Sequence, residues 1–287
     1  MQNNPDSYYI GTIILSILIG LVVVLIFIFI RKIITSILDG LEMTYTFFTN
    51  RPAFVHFYMF RKKLTRNQTK ILTEQFTFYK RLDAENKSYF RHRVATFMQS
   101  KTFVGKAGFK VTDETEVLVS ATAMMLTFGF RDFSIKAVKN IVIYPTKYFS
   151  EVNKVYHKGE FNVNLNTLVL SWDSFLEGYR IEDDKLNLGI HEFAHAIHFN
   201  CIYQEDINSV IFIDTFNELR ALLANDEILK NKLIASEYLR QYAFTNDFEL
   251  LAVILETFIE TPRAFKHQFP LVYYKVKQML NFNFPGY

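Results

Sequence analysis

His191-Glu192-Phe193-Ala194-His195 is the stretch on which the reading of this chain turns. On a helix, residues four apart differ by about 40° of rotation, so both imidazoles project from one face. A four-coordinate metal takes such a pair from one element and leaves room for a third ligand and a water. Glu192 lies within reach of that water as a general base. The surroundings suit a helix: Asp184 or Asn187 stands at its start, and Leu188, Phe193, Ala194 and Ile197 supply packing positions. The competing reading is a helix whose two histidines are exposed or satisfied in a core.

A third ligand decides between these readings. The metzincin extension requires Gly and His where this chain has His198 and Cys201, so that class fails. His198 lies about one turn beyond His195, too far along the axis to complete a tetrahedron with both histidines. It is expected to stand behind the ligands or to pack structurally. Downstream, Tyr242-Ala-Phe-Thr-Asn246-Asp-Phe-Glu249-Leu-Leu-Ala-Val-Ile-Leu-Glu256 opens a helix running from Asn246 to about Glu260, where Thr261-Pro262 stops it. Glu249, Val253 and Glu256 share one face, so both carboxylates point the same way. Glu249 is either the third ligand or the capping-box partner of Asn246. Glu256 is either a residue backing the ligands or a solvated glutamate near a helix end.

Upstream of the motif the periodicity changes. Asp83 caps a predicted helix carrying Phe90, Val94, Phe97 and Met98 on one face, and Thr112 or Asp113 opens another through Val117, Ala121, Met124 and Met125. Asp113 and Glu116 have capping-box spacing. Asn140-Ile-Val-Ile-Tyr144, closed by Pro145, and Thr167-Leu-Val-Leu-Ser171 read as short strands. The second of these is expected to offer a sheet edge to an extended peptide. There is no internal repeat, low-complexity tract or Gly-rich phosphate loop.

Ile10 to Ile30 contains no charged residue, and as a helix it matches the ~30 Å hydrocarbon core of a bilayer. The leading segment has Asp6 and no Lys or Arg, and Arg31-Lys32 closes the run, so it reads as an uncleaved anchor and not a signal peptide. Basic residues follow the span (Arg31, Lys32, Arg51, Arg61, Lys62, Lys63), which favours a cytoplasmic body. The expected organisation is a short segment 1–9, a transmembrane anchor 10–30, a juxtamembrane connector 31–70 and a main domain 71–287. Within the connector, aromatic and basic residues from Phe47 to Lys63 read either as headgroup contacts or as a connector packed on the main domain.

Composition narrows the function classes. A net charge of +3 with scattered Lys and Arg argues against nucleic acid as a partner. The lone Cys201 excludes an intramolecular disulfide framework and any metal site built from several cysteines, so His, Asp and Glu must hold a metal.

Several segments together resemble the MtfA-type (Mlc titration factor A family) zinc peptidases over about residues 71 to 280. They are Phe78-Tyr-Lys-Arg-Leu82, Phe103-Val-Gly-Lys-Ala-Gly108 with Val111-Thr-Asp113, Ile143-Tyr-Pro145, Leu170-Ser-Trp-Asp173, His191 to His195, and Tyr242 through Glu249. The resemblance implies an α+β, mainly helical, zincin-like domain with a small sheet, here preceded by one N-terminal transmembrane helix. It implies Zn²⁺ held by His191, His195 and Glu249, with Glu192 as general base and Tyr242 stabilising the oxyanion. Peptides or proteins are then the substrates of a gluzincin, and the membrane anchor at residues 10–30 is an addition about which the resemblance says nothing. His198 and Glu256 are expected behind the ligands. The resemblance also carries an alternative: a regulatory protein that engages a transcriptional repressor, with peptidase activity secondary. Two departures stand out. His198 replaces the family's usual Asp, and the connection between the two motifs is shorter.

Overall fold

A computed structural model of the chain describes residues 5–150, 154–180 and 186–287. The chain forms two compact units, Met1–Ala53 and Phe54–Tyr287. In the first, helix α1 (Pro5–Thr49) includes Thr12–Thr49, which is long and apolar enough to cross a membrane by length and composition. None of its apolar window is buried. About twenty residues suffice for a bilayer core, so α1 overshoots the uncharged run 10–30. The sequence reads as irregular from Ile33, yet the helix continues because no proline interrupts it before Pro52. It ends at Asn50, whose φ of 51° is left-handed and whose N–H reaches the Thr46 carbonyl at 2.7 Å.

The second unit begins with α2 (Arg66–Gln75), α3 (Thr77–Arg81), α4 (Ala84–Ser100), β1 (Thr102–Gly105), α5 (Asp113–Leu126) and β2 (Asn140–Tyr144). The short β3 (Tyr148–Phe149) and β4 (Tyr156–His157) follow, then β5 (Gly159–Asn162), β6 (Thr167–Ser171), α6 (Trp172–Arg180) and α7 (Leu188–Ile202). Helices complete the chain: α8 (Ile207–Asn225), α9 (Glu227–Ala235), a 3₁₀ turn (Gln241–Phe244), α10 (Asp247–Glu260), α11 (Pro262–Gln268) and α12 (Pro270–Met279). The protein is therefore mainly helical with a small mixed sheet, as expected.

The main sheet has the order β1-β2-β6-β5, with β1, β2 and β6 parallel and β5 antiparallel to β6. This corrects the edge assignment: Thr167–Ser171 is an interior strand, and β5 is the edge beside it. Ile141, Ile143, Leu168 and Leu170 bury the inner face of β2 and β6.

Capping explains most helix starts. Asp83 accepts the Asn86 N–H at 2.8 Å and opens α4. At α5 the capping box is Thr112 with Thr115, not Asp113 with Glu116. The Asp113 carboxylate is instead taken by the side chains of Asn67 and Gln68, each at 2.9 Å, which ties α2 to α5.

Arg93, wholly buried on α4, fastens the start of this unit. Its guanidinium donates to the carbonyls of Thr127, Phe128 and Phe130 and to Tyr58 Oη, and meets His56 Nδ1 at 3.1 Å. His56 also stacks on Tyr89 at 4.4 Å. Burial, reinforced by the charges of Arg93 and Arg61, lowers its pKa to about 3. The folded imidazole stays neutral while the unfolded one takes a proton below about pH 6.5. Stability from this group is complete above pH 6.5 and falls as the pH drops from 6.5 toward 3. His56→Gln retains an acceptor for Arg93 and removes the titration. In urea unfolding of the detergent-solubilised chain at pH 7.5 and pH 5, the parent should lose about 1–2 kcal/mol more than His56→Gln. An equal loss in both chains places the acid sensitivity elsewhere.

Candidate metal centre

Helix α7 is apolar on nearly every side: Ile190, Phe193, Ala194, Ala196 and Ile197 are buried against the sheet and its helical neighbours. Asn187 caps it by accepting the Ile190 N–H at 3.1 Å, while Asp184 lies outside the described residues. Helix α10 packs directly on α7, and every residue from Leu250 to Ile259 is buried. Asn246 caps α10 by accepting the N–H groups of Phe248 and Glu249. The Glu249 backbone serves the helix start, leaving its carboxylate to face α7.

There it meets the two histidines. Glu249 Oε2 stands 3.1 Å from His191 Nε2 and Oε1 3.7 Å from His195 Nε2, and the two imidazole nitrogens are 3.2 Å apart. One ligand atom from each of the three residues lies within 4.8 Å of the others. Tetrahedral sites with bonds of about 2.0–2.2 Å place ligand atoms roughly 3.2–3.6 Å apart, so the spacing fits a metal such as zinc. The chemistry of the donors fits as well. His191 Nδ1 is occupied by Glu256 Oε1 at 2.6 Å, which leaves Nε2 as the atom turned toward the other two residues. Glu249 Oε2 is buried without a hydrogen bond of good geometry. Two nitrogens and a carboxylate facing one another call for a positive charge between them.

The electrostatics say the same. Burial pulls the His191 imidazole down, but the Glu249 and Glu256 carboxylates outweigh it and hold the group up at about 10. Burial, with the charge on His191, lowers His195 to about 4, leaving a neutral ring fit to be a ligand. Glu192 is only 6% exposed, and burial raises it to about 7 against the opposing pull of His191. A carboxyl group poised there exchanges protons near neutral pH. Tyr242, half-exposed on the 3₁₀ turn, lies 6.2 Å from the His191 ring and close enough to Glu249 to feel its carboxylate. Its phenol is pushed up to about 12 by burial and by that carboxylate, so it remains an O–H donor.

The residues expected behind the ligands take separate places. Glu256, 1% exposed, is not a solvated glutamate: it grips His191 from below. His198 lies outside the ligand group, in a pocket of Phe212, Phe216 and Phe248. The sequence reading missed two contributors. Arg240 binds both oxygens of Glu256, at 2.6 and 2.8 Å, from a turn with no periodic signal. Gly159 on the edge strand packs so closely on Glu192 that an added Cβ would stand 2.8 Å from Oε1. A cleft of about 400 Å³ lies beside these groups, bordered by Lys158, Gly159, Ser174, Glu192, Arg240 and Tyr242.

The family model described as glucose-regulated metallo-peptidase M90 matches residues 56–281, which takes in the sheet, α7, the 3₁₀ turn and α10. An uncharacterized protein of Synechocystis sp. is 22% identical over 231 residues, covering 75% of this chain and 83% of that protein.

Proposed function

This chain belongs to the glucose-regulated metallo-peptidase M90 family, and on that premise we propose that it is a membrane-anchored, zinc-dependent peptidase of the HExxH gluzincin type. The observation that carries the reading is the convergence of His191, His195 and Glu249, with a buried glutamate beside them near neutral pKa. These three residues hold the metal. Zinc, when bound, supplies Lewis acidity toward the scissile carbonyl and makes water acidic near neutral pH.

The chain's own residues do the rest. Glu192 takes the proton of the attacking water and passes it to the leaving amine. The Tyr242 hydroxyl donates to the oxygen on which negative charge develops, a contact of a kind worth about 3–4 kcal/mol of barrier. Edge strand β5 pairs with an extended substrate, and Gly159 lets the strand's own backbone lie close to Glu192, which brings the paired substrate to the base. Helix α1 anchors the chain through residues 10–30, and the basic residues after that run favour a cytoplasmic catalytic unit.

The test uses the full chain in detergent. Elemental analysis should find about one zinc per chain, and a peptide library should be cleaved. A chelator should abolish cleavage, and added zinc should restore it. A chain that binds no metal, or cleavage indifferent to chelation, would overturn the reading.

A further inference from the structure

Glu256 lies at the meeting point of three elements. Oε1 contacts His191 Nδ1 on α7 at 2.6 Å and accepts from Arg240 Nη2 at 2.6 Å. Oε2 accepts from the same Arg240 nitrogen at 2.8 Å and from the Asn187 backbone N–H at 3.1 Å. These four contacts match the roughly four lone-pair sites that a carboxylate offers. Among the described partners of this deeply buried carboxylate, Arg240 is the permanent cation. With Nδ1 held against Glu256, Nε2 is the His191 atom turned toward His195 and Glu249.

We infer that Arg240 is a positioning residue for the metal centre, acting through Glu256 to fix the orientation of His191. This rests on the reading of His191 as a metal ligand. Arg240 also immediately precedes the 3₁₀ turn that carries Tyr242, so its guanidinium ties that turn to α10 and, through Glu256, to His191 on α7. Without it, Glu256 would keep its burial and lose its cation. A carboxylate released from that guanidinium no longer holds the His191 ring in the orientation that aims Nε2 at His195 and Glu249.

The experiment measures zinc affinity of the full chain by competition with a chromophoric chelator. Arg240→Met, Arg240→Lys, Glu256→Gln and the double variant Arg240→Met/Glu256→Gln are compared, with the unfolding midpoint of each metal-free protein read in parallel. Arg240→Met and Glu256→Gln should each weaken zinc binding by about 10–100-fold. The double variant should bind zinc no more weakly than Glu256→Gln alone, because Arg240 acts through that carboxylate. Arg240→Lys should recover part of the affinity, since an ammonium restores the charge without the fork. Additive losses would overturn the inference, as would unchanged affinity in Arg240→Met, including when its midpoint falls. A parent chain that binds no zinc fails the functional reading itself and is distinguished from either result.

Discussion

Glu192→Gln should leave zinc bound at the parent stoichiometry and slow peptide hydrolysis by about 10²–10⁴-fold. The substitution keeps the side chain's shape and removes its ability to take a proton. Shape matters here, because Glu192 is buried and packs so closely on Gly159 that a Cβ added there would stand 2.8 Å from its Oε1. The amide fits that space, so α7 and its two histidines stay in place. Metal content should not follow activity down, since the converging ligand atoms come from His191, His195 and Glu249 and none from Glu192. The measurement pairs elemental analysis with kcat/KM on one cleaved peptide. Turnover near that of the parent would remove Glu192 from the reaction. Loss of metal along with activity would show that the buried carboxylate supports the ligands and does not serve as the base.

Those parts of the fold with a strong local signal were legible in the sequence. Asn140–Tyr144 and Thr167–Ser171 appear as strands at the bounds expected, because interior strands read as short continuous apolar runs closed by Pro145 or a polar turn. Their order was not legible. Both runs look alike, and the edge strand beside the second, Gly159-Glu-Phe-Asn162, has no apolar alternation to mark it. The Asp83 cap was readable, whereas the Asp113 and Glu116 spacing misled. Asp113 lies where Asn67 and Gln68 reach it, and its neighbour Thr112 already supplies the cap.

The candidate site divides in the same way. His191, Glu192, His195 and Glu249 lie on two helices whose periodicity fixes which faces they share, and packing of α7 on α10 brings those faces together. Arg240 has no such periodicity to betray it. Its part depends on a four-residue turn and on a contact across sixteen positions of sequence. Glu256 was half legible: its face could be read, but its burial follows from the packing of α10 against α7 and against the turn that Arg240 precedes. His198 shows the converse. Its place on the motif helix suggested a part in the site, but the aromatic rings of Phe212, Phe216 and Phe248 surround it instead.

Glu249→Ala should abolish stoichiometric zinc binding while leaving α10 folded. The two roles open to this residue separate cleanly. Its contribution to the helix start is a backbone N–H accepted by Asn246 Oδ1 at 3.0 Å, and alanine supplies the same N–H. Alanine is also the strongest helix former, so the first turn loses little. The side chain is different: it provides the only carboxylate facing both His191 Nε2 and His195 Nε2 among the described residues. Two histidines alone leave the metal short of a ligand, so affinity should fall beyond the ~10–100-fold expected when a partner behind a ligand is lost. Stability provides an independent readout. Zinc at about a thousand times its dissociation constant should stabilise the parent by about 4 kcal/mol, and the same zinc concentration should barely move the variant. Asn246→Ala is the matched control, removing the cap at a cost of about 1 kcal/mol while keeping the carboxylate and the metal. If Glu249→Ala instead keeps one zinc per chain and loses stability as Asn246→Ala does, Glu249 belongs to the helix start and the third ligand must be sought elsewhere.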